Sequence, residues 1–186
     1  MSTPFFRNQS DLLSLVPLDE TLLQEASSAA NDSPRKRSII RFHEHDEPVQ
    51  RMLNAIEPES YARPHKHLAK PEAFVALRGS LLVVRYSDNG DPTEAVVVSE
   101  DGPCRGVEIP PGAWHSIVAL QEGTVIFEVS QGPYDPATHK VFAPWAPPEE
   151  DREAGLAFIA RLRSQFDRLV PAVAARDQID AEDDIF

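Results

Sequence analysis

The stretch "RPHKHLAKPEAFVALRG", residues 63–79, decides how the rest of the chain is read. His65 and His67 flank Lys66, Glu72 follows after "LAKP", and Gly79 closes the segment. In a β-strand, residues i and i+2 point to the same face. Their Cα atoms are then roughly 6.6–6.8 Å apart. Two imidazoles at that separation can converge on one ion at about 2.0–2.1 Å from each nitrogen. Lys66 takes the opposite face, where its charge does not oppose a cation. The proline-containing "LAKP" connection is expected to turn the chain so that "EAFVALRG" lies beside the first strand, bringing the Glu72 carboxylate to the same ion. Gly79 supplies the permissive dihedrals of a tight turn at the strand end.

A third histidine has its own rigid context in "EIPPGAWHSIVAL", residues 108–120. Two prolines and a glycine form a turn, and His115 opens the strand that follows, sharing a face with Ile117 and Ala119. A turn that fixes where a histidine points is what ligand preorganisation requires. The other histidines read differently. His43 and His45 in "RFHEHDE" form a second H-x-H, but no carboxylate and glycine follow at matching offsets, so they are read as surface or pocket-rim residues. His139, in a proline-rich loop, is read as a structural hydrogen-bonder. Trp114 and Trp145 are read as packing anchors, and Cys104 as an ordinary thiol.

Outward from this segment, short apolar runs recur between residues 39 and 131: "SIIRF", "VQRMLNAI", "AFVAL", "LLVVRY", "EAVVV", "GVEI", "SIVAL" and "TVIFEVS". They are divided by Pro, Gly, Asp and Asn, which predicts an antiparallel sandwich or barrel. "SDNGDP" is the clearest hairpin signal, because Asn-Gly readily supplies positive φ. Residues 10–30 predict a helix with an apolar face from Leu12 to Ala26, interrupted at Pro17. "NDSPRKRS" (31–38) reads as a loop whose basic residues, Arg35, Lys36 and Arg37, sit in a solvated turn. Residues 132–151 are expected to run extended across the barrel surface. Residues 147–170 predict a second helix, with Pro148 in its first turn and Leu156, Ile159, Leu162, Phe166 and Leu169 as a stripe. An acidic, mobile tail is expected after Pro171. The expected organisation is an N-terminal helical extension (1–34), a mainly β barrel (35–148), and a C-terminal helix with its tail (149–186).

Composition narrows the function classes. The 186 residues suit one domain with an added element at each end, and the 17 prolines favour a loop-rich, strand-rich protein over a helical bundle. Thirty acids against 18 bases leave a net charge of −12, which argues against a nucleic-acid partner. A single cysteine excludes an internal disulfide framework and suits a reducing, cytoplasmic setting. The N-terminal segment lacks the layout of a signal peptide. No apolar run approaches the ~20 residues of a membrane helix, so no membrane partner is expected.

Taken together, "HKHLAKPEAFVALRG" resembles the first motif of the cupin superfamily (H-x-H, three or four residues, E, six residues, G), and "PPGAWH" the core of its second, P-x-G-x-x-H. Over about residues 35–148 the chain is similar to the WbuC family of cupin-fold metalloproteins. There "VQRMLNAIEPESYARPHKH", "VEIPPGAWHSIVAL" and "TVIFEVSQGPYDPATHKVFAPWAP" carry the likeness, and the "QGPYDP…FAPWAP" segment is not a general cupin feature. Two positions depart from the cupin pattern: Glu59 stands where a glycine is usual, and Ala119 where an asparagine is usual. Neither is a ligand position.

The resemblance implies an antiparallel jelly-roll barrel with a divalent transition metal (Zn, Fe, Mn, Ni or Co) held by His65, His67, Glu72 and His115. It points to bacterial surface polysaccharide metabolism, with a sugar or nucleotide-sugar as the small-molecule ligand, and leaves the reaction open. An isomerase-like proton transfer, an iron-dependent dioxygenase and a non-catalytic binding protein all remain. If strand alternation continues backwards from His65, Arg63 and Tyr61 face the interior as well, with Glu128 or a ligand anion as the partner of Arg63. These three are the candidate substrate-binding residues. The additions outside the barrel are expected to cover a sheet edge or a neighbouring subunit, giving a homodimer.

Overall fold

The computed structural model describes residues 15–169. The strands are β1 (Arg37–Arg41), β2 (Val49–Ile56), β3 (His65–Lys66), β4 (Glu72–Arg78), β5 (Ser80–Tyr86), β6 (Pro92–Ser99), β7 (Gly106–Ile109), β8 (Trp114–Ala119), β9 (Thr124–Gln131) and β10 (Val141–Phe142). Helices α1 (Glu20–Asp32) and α2 (Arg152–Gln165) flank them, and a short 3-10 turn, Asp167–Leu169, follows α2. Two five-stranded sheets form, in the orders β1-β2-β9-β4-β7 and β10-β3-β8-β5-β6. Every pairing is antiparallel. All eight apolar runs of the sequence are strands.

Alternation along these strands builds three apolar layers. Ile56, Phe74, Leu81, Val83, Ala119 and Ile126 fill the space between the sheets. The opposite faces are buried too. Leu22, Leu23, Ala26 and Ala30 of α1 cover Leu53, Ala55 and Val125 on the first sheet. Phe158, Ile159 and Leu162 of α2 cover Leu82, Val84 and Val118 on the second. Burial on both faces explains why "LLVVRY" reads as a continuous apolar run rather than an alternating one. The helices therefore cover sheet faces rather than sheet edges.

Both helices are shorter than their sequence patterns suggest. Residues 15–19 are not helical, and Leu15 is 97% exposed. Pro17 disfavours helix at the residue before it, and Asp19 caps the helix by accepting from the Leu22 N–H at 3.0 Å. Leu12 and Leu13 lie outside the described residues, as does the acidic tail. The second helix begins at Arg152 because Asp151 caps it, accepting from the Ala154 N–H at 3.0 Å; Pro148 stands in the turn before it. The "SDNGDP" hairpin is real, but positive φ falls on Gly90 alone (+90°) and the loop spans residues 87–91.

Candidate metal centre

The elements that carry the four motif residues differ from the sequence expectation in one respect. β4 does not lie beside β3: it pairs with β7 and β9 in the first sheet, while β3 pairs with β8 and β10 in the second. The "LAKP" connection crosses from one sheet to the other, so Glu72 reaches the histidines from across the barrel. His65 and His115 are direct cross-strand partners. Gly79, at φ +71°, ends β4, and a Cβ there would meet Thr124 Oγ1 at 2.7 Å.

One nitrogen or oxygen from each of His65, His67, Glu72 and His115 lies within 4.8 Å of the other three. The backbone determines which nitrogen of each ring is free. His65 Nδ1 lies 3.0 Å from the Arg63 carbonyl, His67 Nδ1 2.5 Å from the His139 carbonyl, and His115 Nδ1 3.0 Å from the Ala113 carbonyl. A carbonyl only accepts, so each Nδ1 carries the proton and each neutral ring keeps its lone pair on Nε2. The P-x-G turn adds a further tie, since the Gly112 N–H donates to the His67 carbonyl at 2.7 Å. Lys66 points away from the site, with Nζ 4.2 Å from the centre of the Trp114 ring.

This arrangement leaves acceptor facing acceptor. Glu72 Oε2 is 3.1 Å from His115 Nε2, and Oε1 is 3.5 Å from His67 Nε2. His67 Nε2, His115 Nε2 and Glu72 Oε2 are buried without a hydrogen-bond partner, which is costly in isolation. A cation between them resolves the conflict. Ligands at 2.0–2.2 Å from one ion, about 90–109° apart, are separated by about 2.8–3.6 Å, and both contacts fall in that range. The residues present fit a divalent metal. Burial first, and then the Lys140 charge among its neighbours, keeps His65 well below its ordinary value.

The site opens into a cavity of about 270 Å³. Glu128 lies inside it against Glu72, and its carboxylate accepts from Asn54 Nδ2. Burial and the Glu72 charge push Glu128 well above the carboxylate range. Arg63 reaches the cavity, but its Nε and Nη2 donate to the Ala143 carbonyl at 3.2 and 2.7 Å rather than to Glu128. Tyr61 is placed elsewhere. Its ring packs on Phe158 in the core beneath α2, and its hydroxyl donates to the Pro147 carbonyl at 2.8 Å. Because β3 is only two residues long, strand alternation does not extend back through Pro64 to Tyr61.

Several wall residues were not anticipated from the sequence. The 132–140 segment does not simply run across the surface: it brings His139 and Lys140 into the cavity before β10 pairs with β3. The His139 ring lies 5.1 Å from that of His67 and 4.8 Å from that of Tyr134, which stacks in turn on His45 at 4.9 Å. His43 is fully buried, with Nδ1 against the Arg51 backbone. The basic turn is tied down too, for both Arg35 and Arg37 pair with Glu149, and Arg37 lines the cavity. Trp114 and Trp145 pack edge to face at 6.2 Å, as anchors do.

The chain superposes on the capsular polysaccharide assembling protein CapF from Staphylococcus aureus, with 25% identity and a TM-score of 0.52. The match covers 60% of this chain and 30% of that one. CapF with the inhibitor 3-isopropenyl-tropolone gives 24% identity and the same TM-score, over 60% of this chain and 32% of that one. The barrel is a cupin barrel. A family model described as a domain of unknown function (DUF6016) matches residues 18–98 of this cupin chain. No curated protein matches it. The chain spans about a third of the length of the CapF chains it matches. Among the described residues no helix is long and apolar enough to cross a membrane.

Proposed function

We propose that this chain is a WbuC-like cupin metalloprotein that holds one divalent metal on His65, His67, Glu72 and His115 and binds or converts a sugar or nucleotide-sugar in bacterial surface polysaccharide metabolism. The observation that carries the metal reading is the facing set of buried acceptors on His67, His115 and Glu72, none with a hydrogen-bond partner. The likeness to a capsular polysaccharide assembling protein supports the metabolic setting. The cavity, about 270 Å³, is at the small end for ligand sites. It suits a monosaccharide unit, so a nucleotide-sugar would leave its nucleotide outside.

A metal here would polarise a carbonyl or hydroxyl of the ligand, or acidify bound water. The protein's own contribution is a proton. Burial and Glu72 raise the Glu128 carboxyl above its ordinary value and Asn54 steadies it, so it is the group placed to exchange a proton with a ligand beside the metal. We assign Arg63 to the ligand as well, through the part of its guanidinium not used on Ala143. Within the end segments, 1–34 and 149–186, helices α1 and α2 serve as outer cover. The functional unit is a homodimer, for which the half-exposed Val141 and Phe142 on edge strand β10 are the candidate contact.

Elemental analysis of protein purified without a metal-affinity step should give close to one ion per chain. His67→Ala should lower metal content and melting temperature together. Metal-free protein whose stability ignores His67→Ala would end the metal reading. Incubation with sugar phosphates and nucleotide-sugars tests turnover. Iron in the site with substrate-dependent oxygen uptake would move the protein to the dioxygenase class. Light scattering at micromolar concentration tests the dimer.

A further inference from the structure

One cation in the cavity is left over by the interactions around it. Lys140 is half-buried and lines the cavity that holds the four candidate ligands. Among the described residues its Nζ makes no hydrogen bond and no ion pair within 4 Å; it lies over the Phe142 ring, 5.2 Å away, with Glu149, Glu72 and Glu128 as more distant charges. The other cations nearby are occupied. Arg37 donates twice to Glu149 at 2.9 Å, and Arg63 spends two nitrogens on the Ala143 carbonyl. Arg63 also lies over Phe142, with Cζ 5.5 Å from the ring centre. His65 touches the same ring, at 6.3 Å between centroids. Phe142 thus links three residues that line the cavity: Lys140, Arg63 and the candidate metal ligand His65.

We infer that Lys140, with the free Nη1 of Arg63, forms an oxyanion subsite beside the metal, and that the ligand carries a carboxylate or phosphate group. This inference rests on the proposed metal site. A dication added to Arg37, Arg41, Arg63 and Lys140 outweighs Glu72, Glu128 and Glu149 by about three charges even with every carboxylate ionised. A half-buried ammonium with no hydrogen-bond partner is costly to the folded protein, and burial lowers its pKa even though the charges of Glu149, Glu72 and Glu128 oppose that. An anionic ligand would relieve that cost. Lysine offers a movable point charge, suited to an anion whose position is set elsewhere. Here the metal sets it.

The test uses calorimetric titration of the full-length protein, as purified, with inorganic phosphate and with malonate at constant ionic strength. Metal content is measured on the same samples. Wild type should bind at least one of the two anions. Lys140→Met keeps the stem on Phe142 and removes the charge; it should weaken that binding about 10- to 100-fold with unchanged metal content. Lys140→Arg should restore part of the loss, and the stronger of the two anions identifies the ligand group. Equal affinity in wild type and Lys140→Met would overturn the subsite, because the anion would then be held by the metal alone. Binding of neither anion by wild type would overturn it too. A protein that holds no metal would fail the proposed function separately, and the Lys140→Met comparison would still be read by the same criteria.

Discussion

Glu72→Gln separates a metal site from a merely polar barrel centre, because the two readings predict different signs. In the metal-free protein Glu72 presents two oxygens to imidazole nitrogens that bear lone pairs, at 3.1 and 3.5 Å. It also abuts Glu128. A glutamine of nearly the same shape replaces one acceptor oxygen with an NH₂ group. That group can donate to His115 Nε2, adding a hydrogen bond worth about 0.5–1.5 kcal/mol, and a buried carboxylate no longer faces Glu128. At roughly 2–4 °C per kcal/mol for a chain of this size, metal-free Glu72→Gln should melt about 1–6 °C above metal-free wild type. In the metal-loaded protein the same change removes an anionic ligand. Metal at a hundred times its Kd stabilises by about 2.7 kcal/mol, and losing most of that should lower melting by about 5–10 °C. Differential scanning calorimetry with a chelator, and then with added zinc, reads both halves. If Glu72→Gln moves the melting temperature the same way in both conditions, the metal assignment is wrong.

Gly90→Ala should destabilise by about 1–3 kcal/mol. The residue sits at φ +90° and a Cβ would stand 2.6 Å from Trp145 Cδ2, so tryptophan fluorescence should report the displaced ring during urea unfolding. Asp151→Ala should cost about 1 kcal/mol by uncapping α2, with metal content unchanged. For metal-free protein, stability should fall as pH drops below about 6.5. Burial holds His43 below its ordinary value, and burial with the Lys140 charge lowers His139 to about 4. The unfolded chain therefore takes up protons that the folded one refuses. His43 alone contributes a slope of up to about 1.4 kcal/mol per pH unit, between the unfolded value near 6.5 and its folded pKa. Urea titrations from pH 7 to 5 should show that slope, and His43→Gln should remove its share.

Which features could be read from the sequence follows from how local their causes are. The strands were legible because each apolar run is bounded by its own turn residues. Four ligand candidates were legible because their geometry is local as well: i and i+2 on one strand, a glutamate just past one connection, a histidine just past one rigid turn. The sheet to which each strand belongs is not local. "LAKP" is compatible with a hairpin or with a crossing between sheets, and β3, with two residues, has no periodicity that could choose. That is why Glu72 was expected beside the histidines and stands opposite them, and why alternation failed to carry Tyr61 inward. The same reasoning explains His139 and Lys140. They follow a proline-rich segment with no repeat, and their place in the wall depends on β10 pairing with β3, some 75 residues back in the chain. The four candidate ligands can thus be read from spacing, whereas the residues that would select a ligand are supplied by a returning loop. Substitutions in residues 132–142 should therefore change what the cavity binds before they change whether it holds a metal.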